Sequence, residues 1–309
     1  MEGLLVLPNR MLVKLDAQND YFKTFQPHLG FVRITIGRAT GIVQPKKEKT
    51  GVSKLLSKVS NIVKDVPDCY VKVKLGAEPE WKSSTQKNNT EPEWNETHDF
   101  LVSDFEQLIA LDIQDDDLAG DDDIGLAETT VKNILLNNGS QELPLTHKGE
   151  QTGARLVIHA QFYNFVNDVN SLSTQTEGST KDSITGIATV LIGSVSNLQG
   201  NRDELKPSVQ VTWGEKKYQT AVKSYTPGTD IFNPAYDQAF RIPLTAELLA
   251  GQAPFRITLL NAKDESGSME IPFQDVLNAP GLVKEENFDV GNGVSVRASL
   301  SVHGVQLAQ

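Results

Sequence analysis

The strongest constraint on this chain is an internal repeat. GFVRITIGRATGI, starting at residue 30, is matched by GIATVLIGSVSNL, starting at 186. In the same order, PDCYVKVKLG is matched by KPSVQVTWG and TEPEWNETHDF by FNPAYDQAF. LIALDIQDDD is then matched by FRITLLNAKD, and the closing ARLVIHAQFYNF by VSVRASLSVHG. Self-similarity of this kind marks a duplicated module. With 309 residues, each copy is long enough to bury a core of its own.

The repeated segments have the period of a half-buried strand. Val32, Ile34 and Ile36 alternate with Arg33 and Thr35, and Val71 and Val73 with Lys72 and Lys74. Ile109, Leu111 and Ile113 share one side of LIALDIQ. WNETHDFLV, GLAETTV and a short edge segment, SQELPL, continue the pattern. Short strands divided by Gly, Pro, Asn and Asp turns predict an all-β sandwich for each copy. Residues 167–182 are rich in Ser, Thr, Asn and Asp and read as a linker.

Two segments stand outside the repeat. Residues 1–30 have no counterpart in the second half. In residues 46–66, Leu55, Leu56, Val59, Ile62, Val63 and Val66 recur at helical spacing, with Lys54, Lys58 and Lys64 on the other side. This predicts a short amphipathic helix ending near Asp65, with Pro67 as its stop.

Several function classes are excluded or disfavoured. No run reaches the length of a spanning helix. The opening is too broken by Pro8, Asn9 and Arg10 for a signal peptide. The single Cys69 rules out an internal disulfide and points weakly to a reducing compartment. A net charge of −11 argues against nucleic acid as a partner. There is no nucleophile elbow, P-loop or GxGxxG, and the five His are scattered. A contiguous run of carboxylates is not the separated pair of a glycosidase. No enzyme is expected.

The charge is segregated along the chain. Residues 46–87 hold ten Lys against five acids, whereas residues 115–123 hold six Asp. Either water solvates that acidic run or a cation sits among it.

DCYVKVKLG, EPEWNETHDF and LDIQDDDLAGDDDIG, taken in order, resemble the signature segments of C2 domains. The second copy is a weaker match. LVLPNRMLVKL and YFKTFQPHLGFVRITI resemble the junction between a lipid-transfer (SMP) domain and the first C2 domain of extended synaptotagmins and tricalbins. The resemblance implies two eight-stranded antiparallel C2 sandwiches of type II topology, the first carrying the helical insert. The domains would be 31–166 and 183–305, with linkers 1–30 and 167–182 and a tail 306–309. Residues 1–30 would follow an upstream domain.

The resemblance also implies a calcium site in the first domain only, for one or two ions. Calcium takes six to eight oxygen ligands, commonly from adjoining loops. Extending the strand alternation puts Asp115 and Asp117 on the side of Ile109, Leu111 and Ile113, with Asp116 turned to solvent. Asp68 is expected opposite them. Asp122 or Asp123 closes the set, and Asp65 is a further candidate because Ile62 stands where relatives carry another Asp. Asp121 is the least favoured. In the second copy Lys206 stands in the place of Asp68, and LNAKDESG offers only Asp264 and Glu265. No calcium site is expected there.

The implied function is calcium-regulated binding of anionic phospholipids. The acidic loops repel a phosphate surface until the ion reverses their charge. Lys72, Lys74, Lys82 and Lys87 are candidate lipid contacts, phosphoinositides included, against a reading as ordinary solubilising lysines. Leu55 and Leu56 either enter a bilayer or cover the sandwich; packing is favoured. The second domain is expected to be structural or interacting, including packing against the first. The resemblance places such a chain on the cytosolic face of membranes, at endoplasmic reticulum–plasma membrane contacts, in a tether or lipid-transfer protein. The alternative is a calcium-independent interaction or tethering scaffold.

Overall fold

The computed structural model describes residues 28–43, 66–116, 121–173, 180 and 182–308. The insert 46–66, apart from its last residue, and residues 1–27 lie outside these, so the expected helix and Leu55 and Leu56 do too. The chain divides into two compact units, one built on residues 28–164 and the other on 165–306.

The first of these contains β1 (Gly30–Thr40), β2 (Cys69–Leu75), β3 (Trp81–Lys82), β4 (Glu93–Val102), β5 (Leu108–Asp115) and β6 (Asp122–Thr130). Helix α1 (Val131–Leu136), β7 (Ser140–His147) and β8 (Glu150–Val166) complete it. One antiparallel sheet runs β4-β1-β8-β7 and the other β3-β2-β5-β6. A single pair, Leu126 with Thr146, joins β6 to β7. The first strand lies between the fourth and the eighth, as expected of the type II variant.

The second unit repeats this order. Its elements are β9 (Ile184–Ser196), β10 (Pro207–Trp213), β11 (Lys216–Gln219), β12 (Ala235–Thr245), α2 (Ala246–Gly251) and β13 (Phe255–Asn261). They continue with β14 (Asp264–Ile271), α3 (Phe273–Leu277), β15 (Val283–Gly291) and β16 (Val294–Leu307). The sheets are β12-β9-β16-β15 and β11-β10-β13-β14. Within the segment read as a linker, Val169–Ser173 forms a 3₁₀ turn with Leu172 buried. Two apolar residues, Val169 and Leu172, in a polar run gave that turn no sequence signal.

Each unit has its own core. Val32, Ile34 and Ile36 meet Val71, Ile109 and Leu111 in the first. Val190 and Ile192 meet Val211, Trp213 and Ile257 in the second. Burying each such side chain contributes about 1.5–3 kcal/mol. SQELPL, expected as a short edge strand, forms the eight-residue β7. Gly139 follows α1 at φ +70°, and a Cβ there would lie 2.3 Å from the Ala160 carbonyl oxygen, so both conformation and space require glycine.

The repeat extends to single hydrogen bonds. The Val71 amide donates to Ser83 Oγ at 2.9 Å, and the Val209 amide to Thr220 Oγ1 at 2.9 Å. Glu96 accepts the Ser84 amide at 3.0 Å, and Gln238 the Ala221 amide at 3.2 Å. Asn95 and Asp237, each just before that acceptor, share a left-handed backbone at φ 54° and 47°. The buried Trp94 also donates its indole N–H to the Ser84 carbonyl at 3.1 Å. The Trp-Asn-Glu run therefore fastens β4 to the segment after β3.

Within the β4-β1-β8-β7 sheet, Arg33 of β1 faces Asp99 of β4 in register. The guanidinium donates two hydrogen bonds to the carboxylate, at 2.8 and 2.9 Å, and each side chain is only 3% exposed. Phe31 and Tyr163 stack with centroids 4.8 Å apart, and the guanidinium carbon lies 5.6 and 5.1 Å from their rings.

Candidate functional site

Strand β5 buries Ile109, Leu111, Ile113 and Asp115 on one side. Alternation thus carries a carboxylate into the position a core residue would take, and Asp115 is 2% exposed. Its Oδ1 accepts the backbone amide of Asp68 at 2.7 Å. The Asp116 amide donates in return to the Asp68 carbonyl at 2.9 Å. The start of β2 and the end of β5 are therefore tied at one end of the sandwich. Register places Asp122, at the start of β6, opposite Asp115. The Asp68 carboxylate accepts the Asn88 amide at 2.7 Å. Asp68, Asp115 and Asp122 are thus brought to one loop end.

The other acids of the run have separate partners. Asp116 accepts the Thr85 hydroxyl at 3.0 Å. Asp121 accepts the Tyr70 hydroxyl at 2.5 Å. Asp123 pairs with Gln114 in register, and its carboxylate lies 3.3 Å from His147 Nδ1. Asp65 and Asp117 lie outside the described residues. Among the described residues, no three His, Cys, Asp or Glu side chains converge as a metal cluster. The donors that are present are all carboxylate oxygens, the type a hard cation takes.

The field of this corner is felt by its neighbour. Burial, then the Asp115 and Asp68 carboxylates, push the Cys69 thiol up to about 12. On β5, burial raises the Asp112 carboxyl above its ordinary range; Asp123 adds to the rise, while Gln114 and Lys72 oppose it.

The lysines fall into three settings. Lys72 and Lys82 pair in register across β2 and β3. Both ammonium groups lie over the ring of Tyr70, at 5.5 and 3.3 Å from its centroid. Lys74 donates to the Glu78 carbonyl at 2.7 Å. Lys87 is exposed next to Asn88, whose amide holds Asp68. Lys72 is also opposite Asp112 in register, so this basic face carries a counter-charge of its own. Sequence reasoning passed over Tyr70. Its ring is fully buried beneath two cations, and its hydroxyl reaches the acidic loop. The available signal was its place between Asp68 and Lys72.

The second unit keeps the tie and drops the charge. Asn261 Oδ1 accepts the Lys206 amide at 2.6 Å, and the Ala262 amide donates to the Lys206 carbonyl at 2.8 Å. Asn261 therefore holds the place of Asp115. Asp264, offered above for the positions of Asp115 and Asp117, instead pairs with Asn261 as Asp122 pairs with Asp115. Glu265 is held by Arg256 at 2.9 Å and Ser268 at 2.7 Å. Only Ala262 and Lys263 separate β13 from β14, whereas residues 116–121 separate β5 from β6. The acidic loop of the first unit is here a tight turn.

Two antiparallel eight-stranded sandwiches of one strand order, each closed by its last strand beside its first, define a tandem β-sandwich protein with the loop ends as its candidate site. The family model for the C2 domain matches residues 30–145 and 186–288, and the chain belongs to the C2 domain family. It is similar to human Extended synaptotagmin-3, 26% identical over 199 residues, covering 64% of this chain and 20% of that protein. It is also similar to Synaptotagmin-2 of Arabidopsis thaliana, 24% identical over 240 residues, covering 68% of this chain and 42% of that protein. The chain thus spans less than half the length of either relative.

Among solved structures, the calcium-bound tandem C2 domains of Extended-Synaptotagmin 2 superpose with a TM-score of 0.71 at 17% identity, covering 92% of this chain and 100% of that one. A longer structure of the same protein, its SMP domain followed by both C2 domains, gives 0.69 at 16% identity, covering 99% and 65%. At these identities the likeness establishes the fold, a tandem C2 pair. No helix among the described residues is long and apolar enough to cross a membrane.

Proposed function

We propose that the first C2 domain binds anionic phospholipid membranes under calcium control, within a larger tethering or lipid-transfer protein. The observation that supports this most is the Asp68–Asp115 tie, with Asp122 in register beside it. Asp68, Asp115 and Asp122 would hold the ion, with Asp117 or Asp65 completing the set, while Asp123 lies towards His147. A bound calcium reverses the sign of the loop end and supplies coordination positions that lipid phosphates fill. Lys72, Lys74, Lys82 and Lys87 contribute attraction to a phosphate surface, phosphoinositides included, and this attraction weakens with salt.

The second C2 domain acts without calcium, in a structural or interaction role. Neither domain is an enzyme. The setting is the cytosolic face of membranes, at contacts of the endoplasmic reticulum with the plasma membrane. That the solved relative bears calcium is a fact about that relative, and it lends weight here only through the shared fold.

Sedimentation of the chain with phosphatidylserine vesicles, with calcium and with chelator, tests this reading. Calcium-dependent pelleting is expected. A second reading, a tethering scaffold that takes no metal, draws on the absence of three converging ligands among the described residues. Pelleting that is absent, or the same with chelator, would favour it over the calcium mechanism.

A further inference from the structure

The second unit contains a cavity of about 550 Å³ at the end opposite the Lys206–Asn261 tie. Its walls come from the 3₁₀ turn before β9, from α2 and from the start of α3, with Leu172, Leu249, Phe273 and Leu277 facing it. None of the eleven residues that line it is charged. The exposed Gln252 and Gln274 stand at its edge. The Gln274 amide nitrogen donates to Asn278 at 3.1 Å, which leaves its carbonyl oxygen as an acceptor.

Comparison of the two copies shows how the cavity arises. In the first unit five residues, 103–107, join β4 to β5. Phe105 in that connection packs edge-on against Phe162 with centroids 4.9 Å apart, and so fills that end of the sandwich. In the second unit nine residues, 246–254, join β12 to β13. Thr245 caps α2 by accepting the Leu248 amide, with Glu247 in the first turn. The helix carries two leucines yet buries no residue completely. It forms a wall beside an apolar space and does not plug it. Ligand cavities commonly have this size, an apolar lining and a few polar groups.

We propose that this cavity is a binding site for an uncharged single-chain amphiphile, of which a monoacylglycerol is the type. The apolar walls take the chain, and the glutamine amides, which both donate and accept, take a hydroxyl or ester head. A carboxylate or phosphate head would meet no cation among the lining residues, whereas an uncharged head needs none, which favours uncharged lipids. The site is independent of the calcium reading.

The test is equilibrium dialysis of the full chain against radiolabelled 1-decanoylglycerol below its aggregation limit, with decanoate as the charged comparison. Saturable binding of one molecule per chain is expected, at least tenfold tighter than for decanoate. Ala250 lies in the lining and is exposed, so Ala250→Trp should occupy the space and weaken binding at least tenfold with the melting temperature kept. Ala250→Leu, a milder change, should weaken it several-fold and decides the matter if the tryptophan variant misfolds. Absence of saturable binding, equal affinity for decanoate, or indifference to both substitutions overturns the proposal. Self-association of the chain that Ala250→Trp abolishes, without glyceride binding, also overturns it and assigns the surface to a second copy.

Discussion

The carboxylate of Asp115 accepts the backbone amide of Asp68 at 2.7 Å, so one residue serves both as a fastener between β5 and β2 and as a candidate ion ligand. The two roles separate by substitution. Asp115→Asn keeps an acceptor oxygen, as Asn261 does in the second unit, and should leave thermal stability within about 1 kcal/mol of the parent. It should abolish calcium binding in isothermal titration. Asp115→Ala should lose the ion and also cost about 1–3 kcal/mol through the unpaired amide. Calcium affinity unchanged in Asp115→Asn would remove Asp115 from the ligand set.

The second copy supplies the complementary experiment. Asn261→Ala deprives the Lys206 amide of its partner and should cost about 1–3 kcal/mol in the second unit. Calcium titration and calcium-dependent vesicle binding should not change. Scanning calorimetry reads the first effect and vesicle sedimentation the second. A shift in calcium dependence would place the ion in the wrong domain.

The Arg33–Asp99 pair is buried at both ends. Burial opposes the charge on Arg33, but the interactions with Asp99, aided by Tyr163, outweigh it and carry the guanidinium above its ordinary pKa. Asp99→Ala removes the carboxylate that faces this buried cation and should destabilise the first unit by about 3–5 kcal/mol. The double variant Arg33→Met, Asp99→Leu should recover most of the loss, since an apolar pair of similar volume is often as stable as a buried ion pair. Calorimetric melting of the single and double variants measures this. Equal losses in both would show that the pair itself, and not the stranded charge, carries the stability.

Cys69 should resist thiol reagents at pH 8 in the folded chain and react once it is unfolded. Its folded thiol is pushed up to about 12 from an ordinary 9.0. Below pH 9 both states keep the proton and the contribution is complete. Between pH 9 and 12 the unfolded state releases its proton while the folded state holds it, so stability falls as pH rises. The slope should approach about 1.4 kcal/mol per pH unit. Cys69→Ala should remove that component of the alkaline slope, and identical slopes in parent and variant would contradict it.

Much of the fold could be read from the repeat and the alternation of single strands. The Ile109, Leu111, Ile113 side predicted the direction of Asp115, because a period of two continues one residue past the apolar run. The correspondence in the second copy is shifted. FRITLLNAKD laid residue for residue on LIALDIQDDD is one position out of the structural register, which aligns Phe255 with Ile109 and Asn261 with Asp115. Acids further along the chain then stood in for the wrong positions. The shortened turn at Ala262 and Lys263 is a property of chain length between strands, and no residue type announces it. The Tyr70–Asp121 and Asp123–His147 contacts join segments far apart in sequence and depend on which face each strand presents. The turn around Leu172 had no sequence signal for a different reason, since Val169 and Leu172 are two apolar side chains in a polar run and set no period.

In the first unit β1 lies antiparallel to β8, with Gly30 opposite Asn164, while Asp68 and Asp115 sit at the other end of the strands. The polypeptide therefore arrives and departs at one pole of the module and carries Asp68 and Asp115 at the other. A load applied along the chain pulls on the closing strands, not on the loops. Whatever is joined before or after the module can be drawn taut without the load passing through the loop pole.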